Sequence, residues 1–246
     1  MRKSYRELTE EIKTDGERLK LIAALGSSDD LAYHYTLISE DWAAGGTLML
    51  ENSFDRHGEA GIVFLLERLR AFGTASKTDA SATAGTATDT AYLAAKILSQ
   101  LRHRDFYAAR AKELAALLTA RWEISDIALR RKQIIALGWI GSESEINLLI
   151  DSMQSDSDAL CRAWAAAALM QLSFHGVAAD VLREKTKAAF AAAIQKEGDL
   201  NAAGIMIEAA QTLFGKKWIS AAAAEAAESE SIEKARKSAL RFLGKA

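Results

Sequence analysis

Asp126-Ile-Ala-Leu-Arg-Arg-Lys-Gln-Ile-Ile-Ala-Leu137 and Asp158-Ala-Leu-Cys-Arg-Ala-Trp-Ala-Ala-Ala-Ala-Leu169 are two versions of one pattern. Asp, an apolar residue, Arg and a closing Ala-Leu coincide at an offset of 32 residues. In each copy Asp and Arg stand four apart, the spacing at which an acid near a helix start meets a base one turn later. The pairs Asp126–Arg130 and Asp158–Arg162 are therefore expected to form within their own helices. Ala136, Ala165 and Ala168 are the small residues that would let a neighbouring helix approach. A pattern recurring every 20–50 residues or so marks stacked supersecondary units, each burying its apolar face on the next. Weaker echoes are Ala24-Leu25-Gly26, Thr212-Leu213 and Ala239-Leu240.

Outward from this pair, helical periods run through most of the chain and no period-two alternation appears. From Asp89 the expected helices are 89–101, 105–121, 126–140, 143–154, 158–174, 177–197, 199–214, 218–228 and 230–243, joined by turns short enough to make antiparallel neighbours. Ser142 with Glu145, and Ser155 with Asp158, carry helix-start signals. Toward the amino terminus, Ser4 with Glu7 forms a capping-box pattern, Gly16 interrupts, Gly26 stops the next helix, and Asp29-Asp30 opens another that ends at Gly45-Gly46. A further helix covers about 58–72. Residues 73–88, GTASKTDASATAGTAT, have almost nothing to bury and are expected to be a flexible loop or insertion. The organisation expected is one all-helical domain over 1–246: an irregular amino-terminal third (1–72), the insertion, and hairpins over 89–246.

Composition agrees. There are 246 residues, 50% apolar and 26% charged, with 49 alanines and no proline. Alanine is the best helix former and proline the worst. A net charge of −2 gives no global field for a polyanion. The single cysteine, Cys161, cannot form an internal disulfide. MRKSYRELTEEIK lacks a signal-peptide core, and the longest strictly apolar run, Ala163 to Met170, falls well short of the roughly 20 residues of a membrane span. The expectation is a cytoplasmic chain with no membrane segment.

The repeated residues, Asp126, Leu129, Arg130, Ala136 and Leu137 with Asp158, Cys161, Arg162, Ala165, Ala168 and Leu169, each set following an apolar helix such as Ile146-Asn-Leu-Leu-Ile150, resemble HEAT repeats of the armadillo-like superfamily. The match is good over about 105–172 and poor before 72. Many HEAT repeats carry a first-helix proline, which is missing here. The resemblance implies an all-α solenoid of antiparallel hairpins whose second helices line a concave, protein-binding surface.

No catalytic constellation competes with that. His34, His57, His103 and His175 are scattered without metal-ligand spacing, which favours surface or capping roles. His103-Arg104-Asp105-Phe106 imitates a kinase catalytic loop but lacks every other part of one. No phosphate-binding glycine loop and no GxSxG nucleophile elbow occur. Cys161 takes a small core position. No metal, cofactor or catalytic residue is expected.

Two clusters are weighed as binding sites. Between Arg102 and Lys132 there are eight Lys/Arg against four Asp/Glu, with Trp122 and Trp139 nearby. HEAT-like DNA glycosylases use a basic groove with tryptophans, so a DNA-binding enzyme of that kind, or a lyase of the same architecture, is the alternative. The acidic block that follows, Glu143, Glu145, Asp151, Asp156 and Asp158, cancels much of that field, so nucleic acid is disfavoured. Trp164 falls beside the buried stripe of its helix. With Arg131, Lys132 and Trp139 it forms the expected patch for another protein. The leading function is a non-enzymatic scaffold or adaptor, in its narrowest form an immunity or inhibitor protein for a toxin or enzyme.

Overall fold

The computed structural model describes residues 2–74, 93–94, 96–98, 110–120, 122 and 127–244, and among these there is no strand. The described elements are all helical, and the chain divides into two compact units, Met1–Arg110 and Ala111–Ala246, the second a solenoid of antiparallel hairpins. Residues 75–88 of the expected insertion, most of the helix expected over 89–101, His103, residues 105–109 of the helix expected over 105–121, and Asp126 lie outside the described residues; Gly73 and Thr74 are helical.

The first unit contains α1 (Tyr5–Glu11), α2 (Asp15–Gly26), α3 (Leu31–Ala43), a 3-10 helix (Leu50–His57) and α4 (Gly58–Thr74). Its helix starts follow the local signals. Ser4 and Glu7 form the expected capping box, and Asp30 accepts from the Tyr33 amide. Gly16 does not interrupt: Thr14 and Glu17 make a second capping box, which places Gly16 inside the first turn of α2. Gly45 and Gly46 take positive φ just past α3, a conformation glycine adopts without steric cost.

An eight-residue 3-10 helix is long for its type, and α3 holds its start. His34 and Asp41, two turns apart and both fully buried, grip Leu50 from either side. His34 Nε2 donates to the Leu50 carbonyl at 3.0 Å, and the Asp41 carboxylate accepts from the Leu50 amide at 3.4 Å. Asp41 also accepts from the Leu48 amide and the Tyr5 hydroxyl. Leu37, Ile38, Leu50, Phe54, Ile62 and Leu65 form the core around this anchor.

The second unit runs α5 (Ala111–Thr119), α6 (Ile127–Ile140), a 3-10 turn (Glu143–Glu145), α7 (Ile146–Ser155), α8 (Ala159–Leu172), α9 (Ala179–Lys196), α10 (Leu200–Leu213), α11 (Ala221–Glu225) and α12 (Ser229–Leu243). Each hairpin pairs a first helix (α5, α7, α9) with a second (α6, α8, α10), and α8 packs on α6, α7 and α10 together. Ser142 and Glu145 cap the turn before α7 as expected. Ser155 does not cap α8: Asp158 does so itself, accepting from the Cys161 amide at 2.8 Å. At the end the repeat changes. α12 packs on both α9 and α10. The helix expected over 218–228 shrinks to α11, because the Gln211 side chain binds the Trp218 and Ile219 amides and the Ile219 carbonyl.

Helices α6 and α8 approach closely at Gly138, where an added Cβ would sit 2.7 Å from Ala168 Cα. Ala168 was legible as a contact position; its partner Gly138 was not. Overpacking of this kind costs about 1–3 kcal/mol. Gly138→Ala should therefore lower the urea midpoint by that equivalent, and an unchanged midpoint would mean that α6 and α8 have room to separate.

Candidate protein-binding face

The second helices leave one face of each partly open. On α6 it carries Lys132, Ile135 and Trp139; on α8, Trp164, Ala167 and Gln171; on α10, Ile205, Glu208 and Thr212. The spacing is three and then four residues in every case, one face of an α-helix. The register is set by the N-caps. Asp199 accepts from the Ala202 amide at 2.8 Å as Asp158 does from Cys161, so Trp164 and Ile205 occupy equivalent positions.

Between α6 and α8 this face sinks into a cavity of about 190 Å3, bounded by Ile135 and Trp139 on one side and by Trp164, Ala167, Met170 and Gln171 on the other. Its floor reaches Ala168, the residue that meets Gly138. The Trp139 indole is propped by the His175 ring, centroids 4.9 Å apart, and the neighbouring Phe174 is 63% exposed. Both tryptophans are half-buried. An indole left partly open beside an apolar hollow is the kind of surface that supplies binding hot spots.

The charged residues are arranged differently from the expectation. Arg162 does not pair with Asp158 four residues back. It reaches forward to Glu197, with Nε and Nη2 donating to the two carboxylate oxygens at 2.7 and 2.8 Å, while Nη1 donates to the Asp156 carbonyl. Arg130 makes the equivalent fork to Asp156, both bonds at 2.8 Å. Asp156 and Glu197 each stand two residues before the N-cap of the next second helix and accept from the amide of that N-cap residue. A guanidinium near the start of one second helix thus clamps the connection that opens the next. The physical reason is reach: stacking brings a carboxylate in line with Arg162 for a planar two-bond fork, which beats the weaker i,i+4 contact.

Arg131, assigned to the patch, belongs to this row of clamps. It donates to both Asp158 oxygens at 2.9 and 2.7 Å and is about a third exposed. Hydrogen bonds from Arg131 hold the Asp158 carboxyl far below the usual range, and the Arg131 guanidinium is correspondingly raised. Lys132 is exposed on the open face, and Trp139 and Trp164 share the cavity. Three of the four patch residues therefore lie on one face and the fourth lies beside it. A second cavity, about 200 Å3, opens at the clamp between α7 and α9, where Asp156, Arg162 and Glu197 are already engaged by their partners.

Three arginines of the basic cluster are similarly engaged. Among its described members, Arg110 holds Glu59, and Arg130 and Arg131 hold Asp156 and Asp158. Arg102, Arg104 and Arg121 lie outside the described residues. Cys161 is fully buried, and burial with the nearby Asp158 pushes its thiol up to about 11, which makes a poor nucleophile. Among the described residues no group of three or more His, Cys, Asp or Glu is placed to hold a metal ion, and no helix is long and apolar enough to cross a membrane.

One pairing was missed. His34 is not at the surface: its Nδ1 lies 2.8 Å from His57 Nε2, both rings packing on Phe54. The two histidines are 23 residues apart and no motif links them.

Residues 81–170 match the family model described as HEAT repeats. No curated protein and no solved structure matches the chain.

Proposed function

We propose that this chain, whose residues 81–170 match HEAT repeats, works as a protein-binding scaffold and that its partner seats on the open face of α6, α8 and α10. The observation that carries this is the placement of Trp139 and Trp164, half-buried across one apolar hollow and beside the exposed Lys132. HEAT repeats form a helical scaffold usable for protein binding, in which each hairpin buries its inner face on its neighbours and leaves an extended surface over. Support for the DNA-binding alternative is weaker, because the arginines described in the basic cluster are matched with carboxylates.

Cross-linked capture from the native cell tests the proposal. The wild-type chain should retain a protein that Trp164→Ala loses and Trp164→Phe keeps. Equal recovery by all three chains would remove the face from the interaction. In the narrower form, suggested by fold analogy, the retained protein is an enzyme or toxin and its activity falls when the purified chain is added.

A further inference from the structure

The cavity of about 200 Å3 at the clamp lies between the carboxyl-terminal ends of α7 and α9, and its lining is mixed: Arg162, Lys196 and Gln154 bring donors, while the buried Met153 and Ala193 are apolar. Around it each arginine is matched with one acid. Arg130 forks Asp156, Arg162 forks Glu197, and Arg236 Nε lies 3.1 Å from Glu233. Lys196 is left over. It is exposed in the last turn of α9, and neither it nor the half-buried Gln154 amide makes a side-chain hydrogen bond or ion pair among the described residues. Both carboxylates in the lining are bonded on each oxygen. The Arg162 guanidinium uses one N–H on each nitrogen, so one remains on Nη1 and another on Nη2. Helix carboxyl ends disfavour anions through their bare carbonyls. Here several are covered: Asp151 accepts from Ser155 Oγ, Asp156 from Arg162, and Ile194 and Glu197 from Arg236 Nη1 at 2.6 and 2.8 Å.

We propose that this cavity binds an oxyanion, a carboxylate or phosphate group carried on a short carbon stem. The head group sits between the Lys196 ammonium and the spare Nη hydrogens of Arg162, where hydrogen bonds are charge-assisted, and the Gln154 amide donates to it from the α7 side. The stem lies on Met153 and Ala193. That division of the lining into donors and apolar surface selects a stem-bearing oxyanion over the bare ion. The site does not use the open face of α6, α8 and α10, so it stands or falls independently of the protein-binding reading.

Thermal melts of the full-length chain at constant ionic strength test this, with inorganic phosphate, acetylated phosphoserine amide and acetylated glutamate amide as probes and chloride as the reference salt. A ligand that binds only the folded chain raises the midpoint by mass action. The two amino-acid probes should give saturable rises, and at lower concentration than inorganic phosphate. Lys196→Ala should raise the apparent dissociation constant about tenfold, the effect of losing a hydrogen bond to a charged group, and Lys196→Glu should abolish the shift. Lys217→Glu, the same charge change at an exposed lysine outside the cavity, should leave it intact. Because Lys196 holds no partner, its variants should melt like the wild-type chain when no probe is added. Inorganic phosphate acting at the same concentration as the amino-acid probes, with the same dependence on Lys196, overturns the stem and keeps the oxyanion site. Equal shifts in Lys196→Glu and Lys217→Glu, or no saturable shift with any probe, overturn the site.

Discussion

Arg162→Ala is expected to cost about 3–5 kcal/mol of unfolding free energy, the penalty for removing one partner of a buried ion pair. The Glu197 side chain is 2% exposed, and burial alone would push its carboxyl up. Hydrogen bonds and charge from Arg162, with the Asp199 amide, more than reverse that and leave it below the usual range. Without the guanidinium, the carboxylate must stay charged and dry, take a proton, or drag the α9–α10 connection into water. The Asp156 carbonyl at the end of α7 loses its Nη1 donor at the same time. Urea denaturation at neutral pH measures the loss. Glu197→Gln in the same background removes the stranded charge, so the double variant should recover part of it, a coupling expected for groups in one network. A loss below about 1 kcal/mol, or strictly additive variants, would show that solvent reaches the clamp and that the pair belongs with surface salt bridges.

What could be read from the sequence divides by distance along the chain. Helix starts at Ser4, Asp30, Ser142, Asp158 and Asp199 were legible because a cap and the amide it binds lie within three residues of each other. The repeat between 126 and 158 was legible for the same reason: each copy carries its own Asp, Arg and small-residue pattern. The half-open position of Trp164 followed from helical period alone. The partners of the arginines did not, since Arg130 and Arg162 pair across 26 and 35 residues with acids whose alignment exists only once hairpins stack. Gly138 was missed because its role depends on facing Ala168. His34 was misplaced because it and Asp41 look like polar residues on an exposed helix face until a 3-10 segment wraps over them. Local signals fixed elements and caps; contacts between elements had to be seen.

Between pH 6.5 and about 4 the amino-terminal unit should lose about 3 kcal/mol of stability through His34. Its Nε2 faces a carbonyl, which can only accept, so Nε2 carries the proton and Nδ1 must accept from His57 Nε2–H. A second proton on His34 would put a charge in a fully buried site and force His57 to move its own proton to Nδ1 so that Nε2 can accept. Burial, then the His57 ring, lowers the His34 pKa to about 4, against the upward pull of the Leu50 carbonyl. The sign follows from proton counts. An unfolded imidazole protonates near pH 6.5, so across this window the unfolded chain binds more protons and stability falls as pH falls. At about 1.4 kcal/mol per pKa unit the shift gives the figure above. His57, also lowered by burial, acts in the same direction, with Asp29 opposing. The clamped acids act later. Glu197 and Asp158 are held below their ordinary values, so their contribution is lost only as pH drops beneath about 4.5 and 3.8. The slope from 6.5 to 4.5 therefore belongs to the histidine pair. His34→Gln isolates it, because an amide can donate to Leu50 and accept from His57 without titrating. Urea midpoints followed across pH should fall for the wild-type chain and fall less steeply for His34→Gln over that interval, the remaining slope belonging to His57. A level wild-type profile would mean that His34 takes its proton in the folded state as easily as in water, and a slope undiminished in His34→Gln would assign it to another group.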